Sequence, residues 1–180
     1  AIYSSTIQAQ GICVSNSTTT AVKSYHGASV IIDSCSSVGN TAQGIDAEYE
    51  GYCLCTNANL SGNYQYGIYT VHRGCVNASS ARICYNGYSG ATAQAGAYIN
   101  AANTVSETNG YRGTFNGFYC VRSSSIVASN STSNNSTGWG YYANAFSYIL
   151  ANGYSASGNS TGAISPSANT QGNEYSYMDT

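Results

Sequence analysis

Charged residues are scarce in this sequence, and proline is almost absent. Lys and Arg number 5 and Asp and Glu number 7 in 180 residues, so 7% of positions are charged, against about 25% in an ordinary domain. Five basic residues cannot neutralise the phosphates that a nucleic-acid-binding surface must cover. The sequence also contains no apolar run of membrane length, no basic signal-peptide start and no basic amphipathic helix. The composition therefore predicts neither nucleic-acid binding nor membrane insertion.

Small polar residues and tyrosine take the place of the missing charges. Ser, Thr, Asn and Gly number 28, 16, 19 and 20, which is 46% of the chain, and there are 18 Tyr. These residue types are neutral or poor helix formers. Hydrophobic residues still make up 42% of the chain and aromatic residues 12%, which argues against disorder. We therefore expect a folded, β-rich protein held together by hydrogen bonds rather than by ion pairs.

The seven cysteines, at positions 13, 35, 53, 55, 75, 84 and 120, do not have the spacing of a zinc site. Most lie inside apolar strings such as Gly11–Val14, where a free cysteine packs as a small hydrophobic residue. This pattern favours reduced core cysteines, no metal or cofactor, and folding in a reducing cytoplasm. The alternative is that at least one disulfide forms.

A small residue followed by an apolar one recurs along the chain at nearly regular intervals, with one longer interval after Gly67. These predicted unit starts are Ala1, Ala21, Gly44, Gly67, Gly96, Gly117, Gly138 and Gly162. Later in most units a second apolar string is followed by an Asn or Ser. Units of this length with short strands are typical of a parallel β-helix, in which equivalent residues stack in columns.

The predicted fold is all-β: a single right-handed parallel β-helix of about seven coils over residues 1–161, followed by a partial coil and tail at 162–180. An internal ladder of stacked amides is predicted because each Asn side chain both donates and accepts hydrogen bonds. Its members are Asn16, Asn57, Asn86, Asn109, Asn130 and Asn152. The longer unit that begins at Gly67 predicts a loop that leaves the wall near residues 73–80. A β-sandwich or β-prism with accidental periodicity is the alternative fold.

The coils, the Asn ladder and the reduced-looking cysteines resemble the β-helix of bacteriophage tailspikes and tail fibres, and of pectate-lyase-like polysaccharide enzymes. The resemblance is architectural and covers essentially residues 1–162. It implies a homotrimeric virion tail appendage that binds, and often cleaves, a bacterial surface polysaccharide. We expect the chain to be a segment of a longer protein or to be capped by other subunits.

Three of the seven acidic residues lie within five positions, at Asp46, Glu48 and Glu50. Strand alternation places all three on the outer face, with neighbours about 6.5–7 Å apart, within the separation of about 6.5–9.5 Å found in inverting glycosidases. We therefore predict them as the catalytic group of an endoglycosidase-type depolymerase. The alternatives are ion pairs with Lys23 and Arg73 in neighbouring coils, or a metal-binding cluster.

A tyrosine series at the second position of successive units predicts a sugar-binding surface. Tyr69, Tyr98 and Tyr119 would stack outward beside the acidic group, since a flat ring with a hydroxyl suits a sugar. His72 and Arg73 complete the predicted binding set, and His26 and His72 are expected to flank Tyr49. A purely structural stack and a subunit interface are the alternative interpretations of the tyrosines.

The sequence thus predicts recognition of a bacterial polysaccharide, with hydrolysis by Asp46 and Glu48 as a second hypothesis. A non-enzymatic structural or adhesin segment of a viral or bacterial fibre is the main alternative. A cellular polysaccharide lyase is a third, and it would usually need a Ca²⁺ cluster.

Overall fold

The computed structural model describes residues 5–165 as a parallel β-solenoid. This part of the chain forms eighteen short strands and no helix. In chain order the strands are β1 (Thr6–Gln8), β2 (Cys13–Ser15), β3 (Val22–Tyr25), β4 (Ser29–Ile31), β5 (Ser36–Val38), β6 (Ile45–Glu48), β7 (Tyr52–Leu54), β8 (Ile68–Val71), β9 (Cys75–Asn77), β10 (Ala91–Gln94), β11 (Tyr98–Asn100), β12 (Val105–Glu107), β13 (Phe118–Val121), β14 (Ser125–Val127), β15 (Thr132–Asn134), β16 (Trp139–Asn144), β17 (Tyr148–Leu150) and β18 (Gly162–Ile164).

The strands stack into three sides, and every pairing is parallel. The first sheet has the order β18-β16-β13-β10-β8-β6-β3, and the second has the order β1-β4-β7-β9-β11-β14-β17. The third side consists of the pairs β2–β5 and β12–β15 together with isolated bridges at Asn59, Arg82 and Ser155. The predicted solenoid of about seven coils is therefore confirmed, while its right-handed sense stays a prediction.

The pairing register repeats with a constant step that is interrupted once. Ile68 pairs with Ala91, Ala91 with Phe118, and Phe118 with Tyr141. The first and third of these steps are equal, and the middle one is longer by four positions. The predicted coil starts at Gly96, Gly138 and Gly162 are wrong, since the equivalents of Gly67 are Gly90, Gly140 and Ala163. The predicted start at Ala1 and the tail beyond residue 165 lie outside the described residues. Gly96 instead occupies a corner, where its φ of 76° requires the left-handed conformation that glycine adopts freely.

The loop predicted near residues 73–80 is also wrong, because Cys75–Asn77 forms β9 and pairs with both neighbouring strands. The four extra residues lie between Asn109 and Phe115. There the chain forms a bulge closed by a hydrogen bond from the Gly113 N–H to the Gly110 carbonyl at 3.0 Å. The position of the bulge is not evident from the sequence, because Gly96 shifts the apparent unit boundary by six residues.

Alternate residues of each strand point inward and form the core. In the first sheet the inward column includes Ile45, Ile68 and Phe118, all fully buried. In the second sheet Val76, Ile99, Ile126 and Ile149 form a similar column. Each fully buried aliphatic side chain contributes roughly 1.5–3 kcal/mol. The stacked apolar columns therefore account for the regular coil without charged residues.

An internal amide ladder exists, but most of its members differ from the predicted ones. It runs through Asn40, Asn63, Asn86 and Asn109, which are all buried. Each side-chain N–H donates to the amide oxygen of the next member, at 2.8, 3.1 and 3.1 Å. The same oxygens accept the backbone N–H of the preceding member. Only Asn86 and Asn109 of the six predicted residues belong to this ladder.

The other four predicted ladder residues are exposed on the outside of the coil. Asn16, Asn57 and Asn130 occupy left-handed corners with φ of 54°, 55° and 53°. Asn57, Asn130 and Asn152 lie between the second and third sides, whereas Asn16 lies between the third side and the first sheet. Asparagine is suited to such corners because it tolerates the left-handed conformation. The sequence pattern therefore merges the ladder and two different outer corners into one column.

Five of the seven cysteines are buried, as predicted for most of them, and all seven thiols are free. Burial raises the pKa of Cys35 to about 11 and that of Cys120 to about 12, which keeps these thiols protonated and unreactive. Cys13 is exposed and Cys75 is half-buried. Over residues 5–165 there is no helix long and apolar enough to cross a membrane.

Candidate functional site

The outer side of the first sheet carries most of the predicted site residues. Its central outward column holds one residue from each coil, in the order Lys23, Asp46, Tyr69, Thr92, Tyr119 and Tyr142. The flanking residues of each strand point inward, as Ile68 and Thr70 show by being fully buried. Equivalent residues of adjacent coils are about 4.8 Å apart. Asp46 and two of the predicted tyrosines, Tyr69 and Tyr119, therefore share one continuous face.

Lys23 holds two of the three predicted catalytic acids. Its Nζ lies 3.1 Å from Asp46 Oδ2 and 3.1 Å from Glu48 Oε1. One ammonium group therefore bridges the two carboxylates, and their oxygens on Lys23 are at most twice that distance apart. The Asp46 side chain is 4% exposed and that of Glu48 is 19% exposed. This geometry matches the alternative interpretation, in which the acidic residues form ion pairs with Lys23. It leaves Asp46 little access to a substrate.

The buried ion group changes the protonation behaviour of Asp46. Burial raises its pKa, the hydrogen bond from Lys23 opposes the rise, the nearby Glu48 charge adds to it, and the net pKa is about 6. Burial alone would lower the pKa of Lys23, but its hydrogen bonds to both carboxylates raise that pKa above its ordinary value. Asp46 Oδ1 is buried and has no hydrogen-bond partner within residues 5–165. Asp46 can therefore exchange a proton near pH 6 while Lys23 stays charged.

Glu50, the third predicted acid, lies apart from this group on the corner between the first and second sheets. Arg73 Nη2 lies 2.8 Å from Glu50 Oε1, with the two side chains 75% and 61% exposed. The predicted pairing of Arg73 beside Glu50 is confirmed. An ion pair this exposed contributes little to stability, so both charges remain open to a ligand.

His26, Tyr49 and His72 stack on the same corner, which confirms the predicted flanking arrangement. The ring centroids of His26 and Tyr49 are 5.2 Å apart, and those of Tyr49 and His72 are 4.5 Å apart. All three residues have left-handed φ values of 48–51°. Together with Glu50, Arg73 and Ala95 they line a cleft of about 470 Å³. The cleft brings the predicted binding residues His72 and Arg73 next to Glu50.

Rings from several coils form what we call the aromatic platform on the outer side of the first sheet. Its members are Tyr66, Tyr69, Tyr88, Phe115, Tyr119 and Tyr142, all half-buried. Ring centroids are 5.1 Å apart for Tyr66–Tyr69, 5.2 Å for Tyr66–Tyr88, 4.5 Å for Tyr88–Phe115 and 5.3 Å for Tyr119–Tyr142. The Tyr69 hydroxyl also accepts a hydrogen bond from the Gln94 amide. Each ring is held by a neighbour while part of its surface stays open to solvent.

Tyr98 does not belong to this surface, and its predicted place in the column is wrong. It lies in β11 of the second sheet, where it pairs with Cys75 and Ser125 and is 37% exposed. Thr92 fills its expected position between Tyr69 and Tyr119. The error follows from the unit start assigned to Gly96 instead of Gly90.

Sequence reasoning missed Tyr66, Phe115 and Tyr142. Tyr66 and Tyr88 lie in the turn before the first sheet, where the alternation of strands gives no orientation. Phe115 directly follows the bulge of the longer coil. Tyr142 could have been found, because moving the last full coil start from Gly138 to Gly140 places Tyr142 directly after Tyr119 in the column.

Within residues 5–165, no group of three or more His, Cys, Asp or Glu side chains is arranged to hold a metal ion. The rings on the outer side of the first sheet can stack planar ligands, and Glu50, Arg73 and the two histidines on the neighbouring corner can bind polar groups.

Comparison with known proteins leaves the family open. No family model matches the chain, and no curated protein matches it. Among solved structures, the chain is similar to the A-module of the Azotobacter vinelandii mannuronan C-5 epimerase AlgE4, at 12% identity and a TM-score of 0.43. The similarity covers 95% of this chain and 54% of that structure, so this chain spans about half of its length. A likeness at this level assigns no activity to the present chain.

Proposed function

We propose that this chain is a β-helical segment of a bacteriophage tailspike or tail fibre that binds a bacterial surface polysaccharide on the outer side of its first sheet. The observation that carries the proposal is the aromatic platform. Its rings are fixed at centroid distances of 4.5–5.3 Å and remain partly open, which suits the apolar faces of sugars. Tyrosine hydroxyls alongside can bond sugar hydroxyls at low entropy cost.

The corner cleft extends the proposed site beyond the rings. His72, Arg73 and Glu50 supply hydrogen-bond donors and acceptors for the polar groups of a sugar residue that lies off the platform. The exposed Arg73–Glu50 pair loses little when a ligand replaces it. Binding energy therefore comes from ring contacts on the sheet, and orientation comes from the corner.

Hydrolysis by Asp46, Glu48 and Glu50 is a separate proposal. The raised pKa of Asp46 suits a general acid, but its side chain is buried and tied to Lys23. Asp46→Asn and Glu48→Gln should abolish any depolymerising activity while the protein still folds. Full activity in both variants on a polysaccharide that the wild type cleaves would show that these acids are not catalytic.

Binding is tested with Tyr119→Ala and Tyr142→Ala against a matched control, Tyr98→Ala. The probe is a panel of purified bacterial capsular and O-antigen polysaccharides, immobilised and titrated with protein. Loss of one stacked ring, worth roughly 0.5–1.5 kcal/mol, should weaken binding of the recognised polymer about threefold to tenfold. Tyr98→Ala should bind like the wild type, because Tyr98 lies on the second sheet. An equal loss in all three variants, or binding to no polymer of the panel, would overturn the proposal.

The second candidate is a non-enzymatic structural or adhesin segment that associates with copies of itself. It is favoured by the outer side of the second sheet, whose two outward columns carry no charge between β4 and β17. Tyr52, Leu54, Tyr148 and Leu150 lie there half-buried or exposed. Homotrimer assembly through this side, in a virion appendage that folds in a reducing cytoplasm, is part of the proposal. Sedimentation showing trimers, with no polysaccharide bound, would favour the structural segment.

A further inference from the structure

A second set of exposed aromatic side chains lies on the ridge between the third side and the first sheet. We call Tyr64, Tyr85, Tyr111 and Arg112 the ridge patch. The three tyrosines are 43%, 55% and 58% exposed, more than any ring of the aromatic platform. Within residues 5–165 none of these three rings stacks on another aromatic ring. The ridge patch is therefore an open aromatic surface that the proposed site does not use.

Arg112 is held flat along this ridge across three coils. Its Cζ lies 3.5 Å from the ring centroid of Tyr64, two coils away, in a cation–π contact. The side chain passes over Gly87, where a Cβ would lie 2.6 Å from Arg112 Cδ. No carboxylate within residues 5–165 forms an ion pair with Arg112. Its guanidinium plane is thus fixed while its N–H edges remain available as donors.

The four-residue bulge puts Tyr111 and Arg112 in place. The Thr137 hydroxyl anchors it, lying 2.9 Å from the Gly110 carbonyl oxygen and 2.5 Å from that of Gly113. The same hydroxyl accepts the Phe115 N–H at 3.1 Å. Insertions on one face of a solenoid often carry its binding residues.

Tyr85 is held in a strained left-handed conformation at a corner where most coils have glycine or asparagine. Its φ is 57°, and the equivalent residues are Gly39, Gly62, Gly158, Asn16, Asn135 and Thr108, with φ of 52–69°. A bulky residue in the left-handed region is unfavourable where glycine is free to adopt it. Since the Tyr85 ring is 55% exposed, packing does not explain why it is kept there. Strain at an exposed side chain points to a contact made outside the chain.

We propose that the ridge patch is a second glycan-binding site, distinct from the aromatic platform; this inference rests on the proposed function. A protein partner fits less well. A fully buried aromatic side chain contributes about 150–250 Å², so three half-exposed rings and one arginine fall short of the roughly 800 Å² that each partner buries in a standard interface. Separated rings with hydroxyls, and an arginine with free donor edges, match sugar faces and sugar hydroxyls or carboxylates.

The decisive variant is Tyr85→Gly, because strain and binding predict opposite results. Removing the strained side chain should leave the thermal midpoint unchanged or raise it, while binding of the recognised polysaccharide weakens roughly threefold to tenfold. The matched control is Ser80→Gly, another exposed left-handed residue, with φ of 59°, at the corner between the second and third sides. It should relieve the backbone in the same way without changing binding. A second variant, Tyr111→Ala with Arg112→Gln, should weaken binding and leave the fold intact.

The same polysaccharide panel separates this inference from the proposed function. Loss of affinity in Tyr85→Gly and in Tyr119→Ala supports both sites. Loss of affinity only in Tyr119→Ala overturns the ridge site and supports the platform. Loss of affinity only in Tyr85→Gly overturns the platform and supports the ridge site. Unchanged binding in both ridge variants, or an equal loss in Ser80→Gly, overturns the inference. If the wild-type protein binds no polymer, both proposals fail together.

Discussion

Removing one amide from the ladder tests the fold most directly, and Asn63→Ala is the variant to make. Asn63 is fully buried, and its oxygen accepts the backbone N–H of Asn40 at 3.2 Å and the side-chain N–H of Asn40 at 2.8 Å. Its own amide donates to the Ser37 carbonyl at 3.2 Å and to Asn86 Oδ1 at 3.1 Å. Asn86 Oδ1 keeps one donor in the variant, the residue 63 backbone N–H.

The expected cost follows from the groups that lose a partner. One buried backbone N–H, one buried carbonyl and one amide N–H are left unsatisfied. We assign each group a cost of about 1–2 kcal/mol, within the range of about 1–3 kcal/mol for an unsatisfied buried polar group. We therefore expect Asn63→Ala to lower the free energy of unfolding by about 3–6 kcal/mol. With a shift of roughly 2–4 °C per kcal/mol in a chain of this size, the thermal midpoint should fall by about 6–24 °C.

The matched control is Asn57→Ala, the residue that the sequence pattern placed in the ladder. Asn57 is exposed at a left-handed corner with φ of 55°, so its replacement should cost only about 1 kcal/mol through the poorer left-handed tolerance of alanine. Thermal and urea unfolding followed by circular dichroism measure both variants. Equal losses in the two variants, or a larger loss in Asn57→Ala, would refute the ladder assignment.

Two other perturbations test the packing and the ion group. Between about pH 4 and pH 6, folded Asp46, with its pKa raised to about 6, binds more protons than the unfolded residue with its ordinary pKa of about 3.9. Stability from this group should therefore be fully present below about pH 4 and be lost as the pH rises through about 6. Asp46→Asn should flatten that slope in urea unfolding measured against pH, and an unchanged slope would contradict it. Gly67→Ala should destabilise the protein by roughly 1–3 kcal/mol, because its Cβ would lie 2.2 Å from Ile83 Cγ2; an unchanged thermal midpoint would contradict this.

The sequence was sufficient to predict the solenoid because stacked columns need repeated residue types. The starts at Ala21, Gly44 and Gly67 are spaced by the true period of the coil, and the register confirms them. Gly96 broke the pattern because glycine serves equally well at a coil start and at a left-handed corner. Composition does not distinguish these two uses; only pairing with the neighbouring coil does.

The same ambiguity limited the candidate site. Asp46 was correctly placed on the outward column, yet its burial depends on what surrounds it, which alternation does not report. Lys23 from the coil on one side and Tyr69 from the coil on the other flank it. Tyr66 and Tyr88 reach the platform from a turn, where no strand period fixes direction. Strand alternation therefore predicts which residues point outward, but not whether an outward residue is exposed to solvent or buried by its neighbours.

Residues with positive φ at the corners between the sides explain why such a regular fold can carry a specific surface. Residues 5–165 hold 19 non-glycine residues with positive φ, each of which costs roughly 1–2 kcal/mol when it is not asparagine. The aromatic ones are His26, Tyr49, His72, Tyr85 and Phe146. The inward columns and the amide ladder over-determine the backbone, so it tolerates this strain. Three of the five are stabilised by stacking on each other, at 5.2 and 4.5 Å. Within residues 5–165 Tyr85 and Phe146 have no such stack, and of these two only Tyr85 lies in the ridge patch, so its replacement by glycine separates a structural role from a binding role there.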